Sequence, residues 1–167
     1  MLSALVLEAL KGRQRVLLAG CGGGYDIFGA IPLLSVLREA GHEVHLASLS
    51  FCYLNGLDGA RQHDRFPNLY SVPSEAATEK TYCPEAWLGR FLLDRLGQRF
   101  DIWGFDKTGV RPLARAYQHL VEHLKLDAIV LLDGGIDAIL RGDESSIGTP
   151  AEDLTSLAAV MSVEVPT

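Results

Sequence analysis

The chain has 167 residues, 48% of them hydrophobic, and its 15 Lys and Arg against 21 Asp and Glu give a formal charge of −6. That length suits one domain spanning residues 1–167 with a sizeable core, and the composition excludes a disordered chain. The acidic balance argues against a general nucleic-acid binder, which needs positive charge to match the phosphates.

The N-terminal stretch MLSALVLEALKG carries Glu8 and no basic residues ahead of its apolar ones. It reads as a short amphipathic helix and not as a signal peptide. Arg15 to Ala19 is a short apolar run followed at once by glycine, the pattern of a buried parallel strand. The turn Gly20-Cys21-Gly22-Gly23-Gly24-Tyr25-Asp26 comes next. From Ile27 to Ala40, apolar residues recur at helical spacing and Gly41 supplies the stop. Pro32 within that stretch allows two readings: a kinked helix, or a helix starting near Ala30 with Pro32 in its first turn.

Residues 42–51 predict a second strand, 55–67 a polar loop and 68–72 a short third strand. Pro84 to Leu96 predicts a helix with Trp87, Leu88, Phe91, Leu92 and Leu96 as its apolar stripe. Trp87, Phe91, Phe100 and Trp103 are expected in the core. Residues 100–105 read as a strand or a packed turn. Arg111 to Leu124 reads as a helix with Leu113, Tyr117, Leu120, Val121 and Leu124 on one side. Asp127 to Leu132 is a second buried strand, ended by Asp133-Gly134-Gly135. Thr149-Pro150-Ala151-Glu152 reads as a capping box opening a last helix that runs to about Met161.

Strands alternating with helices predict an α/β fold with a mainly parallel sheet. Right-handed crossovers would then place the strand tips at Gly23 and Asp133 side by side, where strand order reverses and ligands bind in open sheets. No segment offers the roughly 18 unbroken apolar residues of a membrane span: the longest apolar region, Val16 to Leu37, is broken by five glycines, Asp26 and Pro32. Cys21, Cys52 and Cys83 match neither a zinc site nor a disulfide framework and suit a reducing cytoplasm.

Gly22, Gly23 and Gly24, between a strand and a helix, would let the backbone approach a ligand closely and turn free N–H groups toward a phosphate or carboxylate. The turn is not a dinucleotide fingerprint, because Tyr25 stands where a glycine is needed and the strand ending Ala47-Ser48-Leu49-Ser50-Phe51 lacks a carboxylate. It is not a Walker loop either, since no Gly-Lys-Ser/Thr follows. Asp26 reads equally as a helix N-cap or as a site residue. A bare phosphate beside it would want a metal or a cation between them.

Asp133-Gly134-Gly135-Ile136-Asp137, with Asp143 and Glu144, gathers acids at a strand end. Hard oxygens in that number suit Mg²⁺ or Mn²⁺, so Asp133, Asp137, Asp143 and Glu144 are the expected metal ligands and Asp133 and Asp137 the expected catalytic acids. Lys107, in Asp106-Lys107-Thr108-Gly109-Val110-Arg111-Pro112, would supply the positive charge, although a solvated helix start is the plainer reading of that segment. His119 and His123 share a helix face but read as solvated. Cys21 has no readable partner base for a nucleophilic role.

Several of these motifs occur together and in order: Gly22-Gly23-Gly24-Tyr25-Asp26, Gly109-Val110-Arg111-Pro112, Asp133-Gly134-Gly135-Ile136-Asp137, Gly142-Asp143-Glu144 and Gly148-Thr149-Pro150-Ala151-Glu152-Asp153. Jointly they resemble the domain of unknown function 1152 family of archaea and bacteria, over about Arg15 to Val163. The resemblance implies a Rossmann-like three-layer fold and brings no assigned reaction with it. Family members look longer, so it also implies the N-terminal part of a typical member, with a further strand expected beyond this chain. An unpaired sheet edge would favour a homodimer.

The expected function is binding of a nucleotide or phosphorylated metabolite at the glycine turn, including Tyr25 and Asp26, with a divalent metal at the nearby acids and transferase- or hydrolase-like chemistry. The alternative is a non-catalytic module that binds a small ligand and acts through a dimer or partner. Neither nucleic acid nor a membrane is an expected partner.

Overall fold

A computed structural model describes residues 2–76, 81–135, 138–146 and 148–165. Six strands form one mixed sheet: β1 (Arg15–Gly20), β2 (Glu43–Leu49), β3 (Arg61–His63), β4 (Phe66–Pro73), β5 (Asp101–Phe105) and β6 (Ala128–Leu132). Their spatial order is β3-β4-β5-β2-β1-β6. The β1–β2, β1–β6 and β2–β5 pairs are parallel; β3–β4 and β4–β5 are antiparallel. The helices are α1 (Leu2–Ala9), α2 (Ala30–Glu39), α3 (Pro84–Leu96), α4 (Val110–Leu124) and α5 (Pro150–Met161).

The continuous apolar run of β1 has a simple cause. Successive side chains point to opposite faces, and both faces are covered. Val16 and Leu18 pack with Leu34 and Leu37 of α2 and Leu88 and Leu92 of α3. Leu17 and Ala19 pack with Leu113, Tyr117 and Leu120 of α4 and Ala159 of α5. A third cluster around Cys52, Leu54, Tyr70, Val72 and Cys83 fills the space beside β4 and the start of α3.

The ambiguity at Pro32 resolves toward the later start. A 3-10 turn covers Asp26–Gly29 and α2 begins at Ala30, so Pro32 lies in the first turn, where its missing N–H has no intrahelical partner to lose. Four expectations are corrected. The loop expected over 55–67 contains β3, which pairs with β4 as an antiparallel hairpin; its Arg61-Gln62-His63 sequence is polar because it lies at the sheet edge. Strand β6 is half-buried at every position and not fully buried, because among the described residues only β1 pairs with it. Trp87 and Phe91 are substantially exposed; only Leu88 and Leu92 of their stripe are buried. The capping box does not close, since the Thr149 side chain makes no cap hydrogen bond, although the helix starts at Pro150 as predicted.

Candidate functional site

After β2 and β5 are laid down on one side of β1, the chain crosses to its other side to form β6. The carboxyl ends of β1 and β6 are therefore adjacent at the point where strand order reverses. Gly20 pairs with Leu132, and the Cys21 N–H donates to the Leu132 carbonyl at 2.8 Å. The tips bearing Gly23 and Asp133 have no strand between them.

Asp26 ties those tips together. Its Oδ2 accepts the Gly22 N–H at 2.8 Å and its Oδ1 accepts the Gly134 N–H at 3.1 Å. It is a bridge between two turns and not a helix cap. The bridge also changes the expected phosphate cradle, because a carboxylate of the chain already holds one of its donors. Gly22 to Gly24 are buried. A Cβ on Gly22 would fall 1.5 Å from Asp153 Oδ1, and one on Gly23, at φ +91, would fall 2.7 Å from the Phe51 ring and 2.8 Å from the Leu49 carbonyl. Glycine here is needed for close approach as well as for the turn. Tyr25 is exposed, with its ring edge-on to Phe28 and Tyr82.

The second turn is built differently. Asp133 is exposed, and its carboxylate accepts the Gly135 N–H at 2.6 Å and the Ala138 N–H at 3.4 Å. Glu144 accepts the Arg141 and Gly142 N–H groups at 2.6 and 2.8 Å, and these bonds hold its carboxyl below the usual range. Asp143 is exposed. Asp137, an expected catalytic acid and metal ligand, lies outside the described residues. Among the described residues no three His, Cys, Asp or Glu side chains gather as a metal ion would require.

Lys107 stands at the end of β5, its Nζ 3.9 Å from Glu152 Oε1 and 4.8 Å from the centre of the Phe51 ring. With Thr108, Gly109, Leu49, Glu152 and Thr155 it lines a cavity of about 170 Å³ between the β5–α4 loop and the first turn of α5. Gly109 forms the N-cap of α4 with no side-chain cap bond, so the first N–H groups of that helix face this end of the sheet. Lys107 thus sits beside the cavity and not on the glycine turn itself.

Two acids close to the glycine turn escape a reading of the sequence. Glu85, in the first turn of α3, is fully buried. Burial pushes its carboxyl up, against an opposing hydrogen bond from the Cys83 thiol, 3.3 Å from its Oε2. Asp153, on α5, is also buried, beside Gly22, and its backbone carbonyl accepts the Cys21 thiol at 3.4 Å. The helical period was the available signal: Glu85 shares its face with buried Leu88, Gly89 and Leu92, and Asp153 shares its face with Ser156 and Ala159.

His119 departs from the solvated face expected of it. It stacks on Phe66 with centroids 4.6 Å apart and meets His63 edge-on at 4.5 Å, while His123 stacks on it at 5.5 Å. Burial, together with the neighbouring His63 and His123, pulls its imidazole down.

Compared with known families, residues 17–167 match the family described as "Protein of unknown function (DUF1152)". The chain belongs to this family. No curated protein and no solved structure matches the chain. The family therefore agrees with the motif resemblance, and the fold stands as an α/β fold with a mostly parallel mixed sheet. Among the described residues no helix is long and apolar enough to cross a membrane.

Proposed function

We propose that this DUF1152 chain is a Rossmann-like domain that binds a nucleotide or phosphorylated metabolite at the carboxyl edge of its sheet. The observation that carries the reading is the meeting of two glycine turns over the β1 and β6 tips, with the Lys107-lined cavity alongside. Ligands of open α/β sheets bind at such a reversal of strand order. Lys107 and the first N–H groups of α4 supply the attraction for phosphate that Asp26 withholds from the glycine turn. The burial of all three free thiols is compatible with a cytoplasmic setting.

A divalent cation, Mg²⁺ or Mn²⁺, would join this reading through Asp133, Asp137, Asp143 and Glu144. Asp133 and Glu144 already accept backbone N–H groups, so the cation would have to share their oxygens. The same bonds favour a second reading, binding without chemistry, because neither acid is left poised above the cleft. Transfer or hydrolysis of a phosphoryl group remains the reaction class of the first reading.

Thermal shift and calorimetry against inorganic phosphate and a nucleotide panel, each with and without Mg²⁺, test both. A ligand at 100 times its dissociation constant adds about 2.7 kcal/mol of stability. Lys107→Ala should weaken binding about tenfold, or about 1.4 kcal/mol, and leave the unliganded stability nearly unchanged. Turnover of a bound compound selects the enzyme reading, and binding without turnover selects the module. No response to any phosphorylated compound overturns both.

A further inference from the structure

Exposed aromatic rings meet beside the glycine turn. Tyr25 is 56% exposed and Tyr82 50%. Of the exposed Phe, Tyr and Trp side chains among the described residues, these two alone make ring contact with each other, edge-on with centroids 5.8 Å apart and planes at 87°. In such a pair one ring offers its rim, so both of its faces lie outside the contact. Tyr25 is backed by Phe28, which meets it edge-on at 5.2 Å and packs against the core. The Tyr82 hydroxyl reaches to 3.3 Å from the point where Gly24 would carry a Cβ. About half of each tyrosine is thus left in water, at a place where its neighbours hold it in position.

The pair and Lys107 border the same turn, and Phe51 joins them. Lys107 Nζ lies 4.8 Å from the centre of the Phe51 ring. The edge of that ring stands 2.7 Å from the Cβ position of Gly23 and 3.8 Å from that of Gly24, and Gly24 in turn meets Tyr82. A cation at one end and two solvent-facing rings at the other complement a molecule with an anionic end and a planar aromatic end. A sugar phosphate has the first of these and nothing to lay on the rings.

We infer that Tyr25 and Tyr82 are the platform on which an aromatic base stacks, so that the phosphorylated ligand proposed for this edge, on which the assignment rests, is a nucleoside phosphate and not a sugar phosphate. Stacking tolerates any base, because every base has a π face, and purines with their larger rings should bind ahead of pyrimidines. The rings do the binding and the hydroxyls do not, so phenylalanine should serve at either position. Lys107 attracts the phosphate whatever the other end of the ligand carries.

The test is calorimetry on the full chain with AMP, GMP, CMP and UMP, with ribose 5-phosphate, and with adenosine. We expect AMP and GMP to bind at least about tenfold tighter than ribose 5-phosphate. Tyr25→Leu and Tyr82→Leu should each weaken AMP about tenfold and leave ribose 5-phosphate unchanged, while Tyr25→Phe and Tyr82→Phe stay within about twofold of the wild type. Ribose 5-phosphate that binds as tightly as every nucleotide overturns the platform and leaves the phosphate reading standing, as do leucine variants that weaken both compounds alike. Adenosine that binds as tightly as AMP, and is lost in the leucine variants, supports the platform and overturns the phosphate reading alone. Failure of all six compounds to bind overturns both. The comparison of nucleotides with ribose 5-phosphate on the wild type decides the matter even if a variant fails to fold.

Discussion

The two glycine- and aspartate-bearing turns at the β1 and β6 tips have similar compositions and opposite settings. The first is buried and enclosed: Phe51, Tyr82, Asp153 and Asp26 occupy the space around Gly22, Gly23 and Gly24. The second is exposed, and Asp133 and Glu144 bond to backbone N–H groups within a few residues of themselves. Glycine count therefore says little about what a turn does. What surrounds it decides whether the missing side chains serve packing or only local conformation.

The sharpest way to break that contrast is one substitution made in both turns. Gly23 and Gly142 both hold positive φ, +91 and +94. An added Cβ at Gly142 meets nothing within 4 Å, whereas at Gly23 it meets Phe51 and the Leu49 carbonyl. Gly142→Ala should cost only conformational strain, about 1–2 kcal/mol. Gly23→Ala should cost about 4 kcal/mol, because overpacking adds to the strain. Urea denaturation of both variants measures the difference, and equal losses would mean that the first turn is not enclosed.

Next in size are the two aspartates. Asp26 accepts N–H groups from both turns, across 108 residues of chain in the case of Gly134. Asp26→Ala should cost about 2–3 kcal/mol, since two charge-assisted bonds and the link between the tips are lost. It would also free the Gly22 N–H, so any phosphate affinity of the chain should rise. Asp133→Ala removes bonds reaching only 2 and 5 residues along the chain, at an exposed position, and should cost less than about 1 kcal/mol. A costlier Asp133 variant would move the structural centre of the site to the second turn.

Which of these features the sequence displays follows from their physics. Strand β1 is legible because an apolar run flanked by glycine records burial on both faces. Helix α3 is legible from Pro84 at its first position and from its period. The adjacency of the two tips fits a sheet whose strand order reverses at β1. Strand β6 shows the limit of the same reading. Its Ala-Ile-Val-Leu-Leu looks like a central strand, and only the sheet order reveals an edge. The β3–β4 hairpin was hidden by polar residues that an edge strand tolerates. Glu85 was hidden because an acid in the first turn of a helix ordinarily complements the helix dipole in solvent; that it faces inward is decided by the packing of α3 on β4 and β5. Asp26 bridging two turns depends on a partner 108 residues away, which no local pattern records.

The smallest effects concern pH, and here the two regions should differ in sign. Beneath the first turn, burial raises the Glu85 carboxyl above its ordinary value of 4.5. The folded state then binds more protons than the unfolded one, so stability falls as pH rises from 4.5 toward the raised folded value. Glu85→Gln should abolish that decline, gaining on the wild type by at most about 1.4 kcal/mol per pH unit inside the window and by nothing further above it. On the second turn, the Arg141 and Gly142 N–H groups lower the Glu144 carboxyl, so its contribution is present above 4.5 and lost as pH falls through the lowered value. Glu144→Gln should flatten only this acid limb, and less strongly, because the group lies at the surface where solvent screens it. Thermal unfolding of both variants from pH 3 to pH 9 separates the two, and a Glu85 variant whose advantage over wild type does not grow with pH would show that this carboxyl is solvated after all.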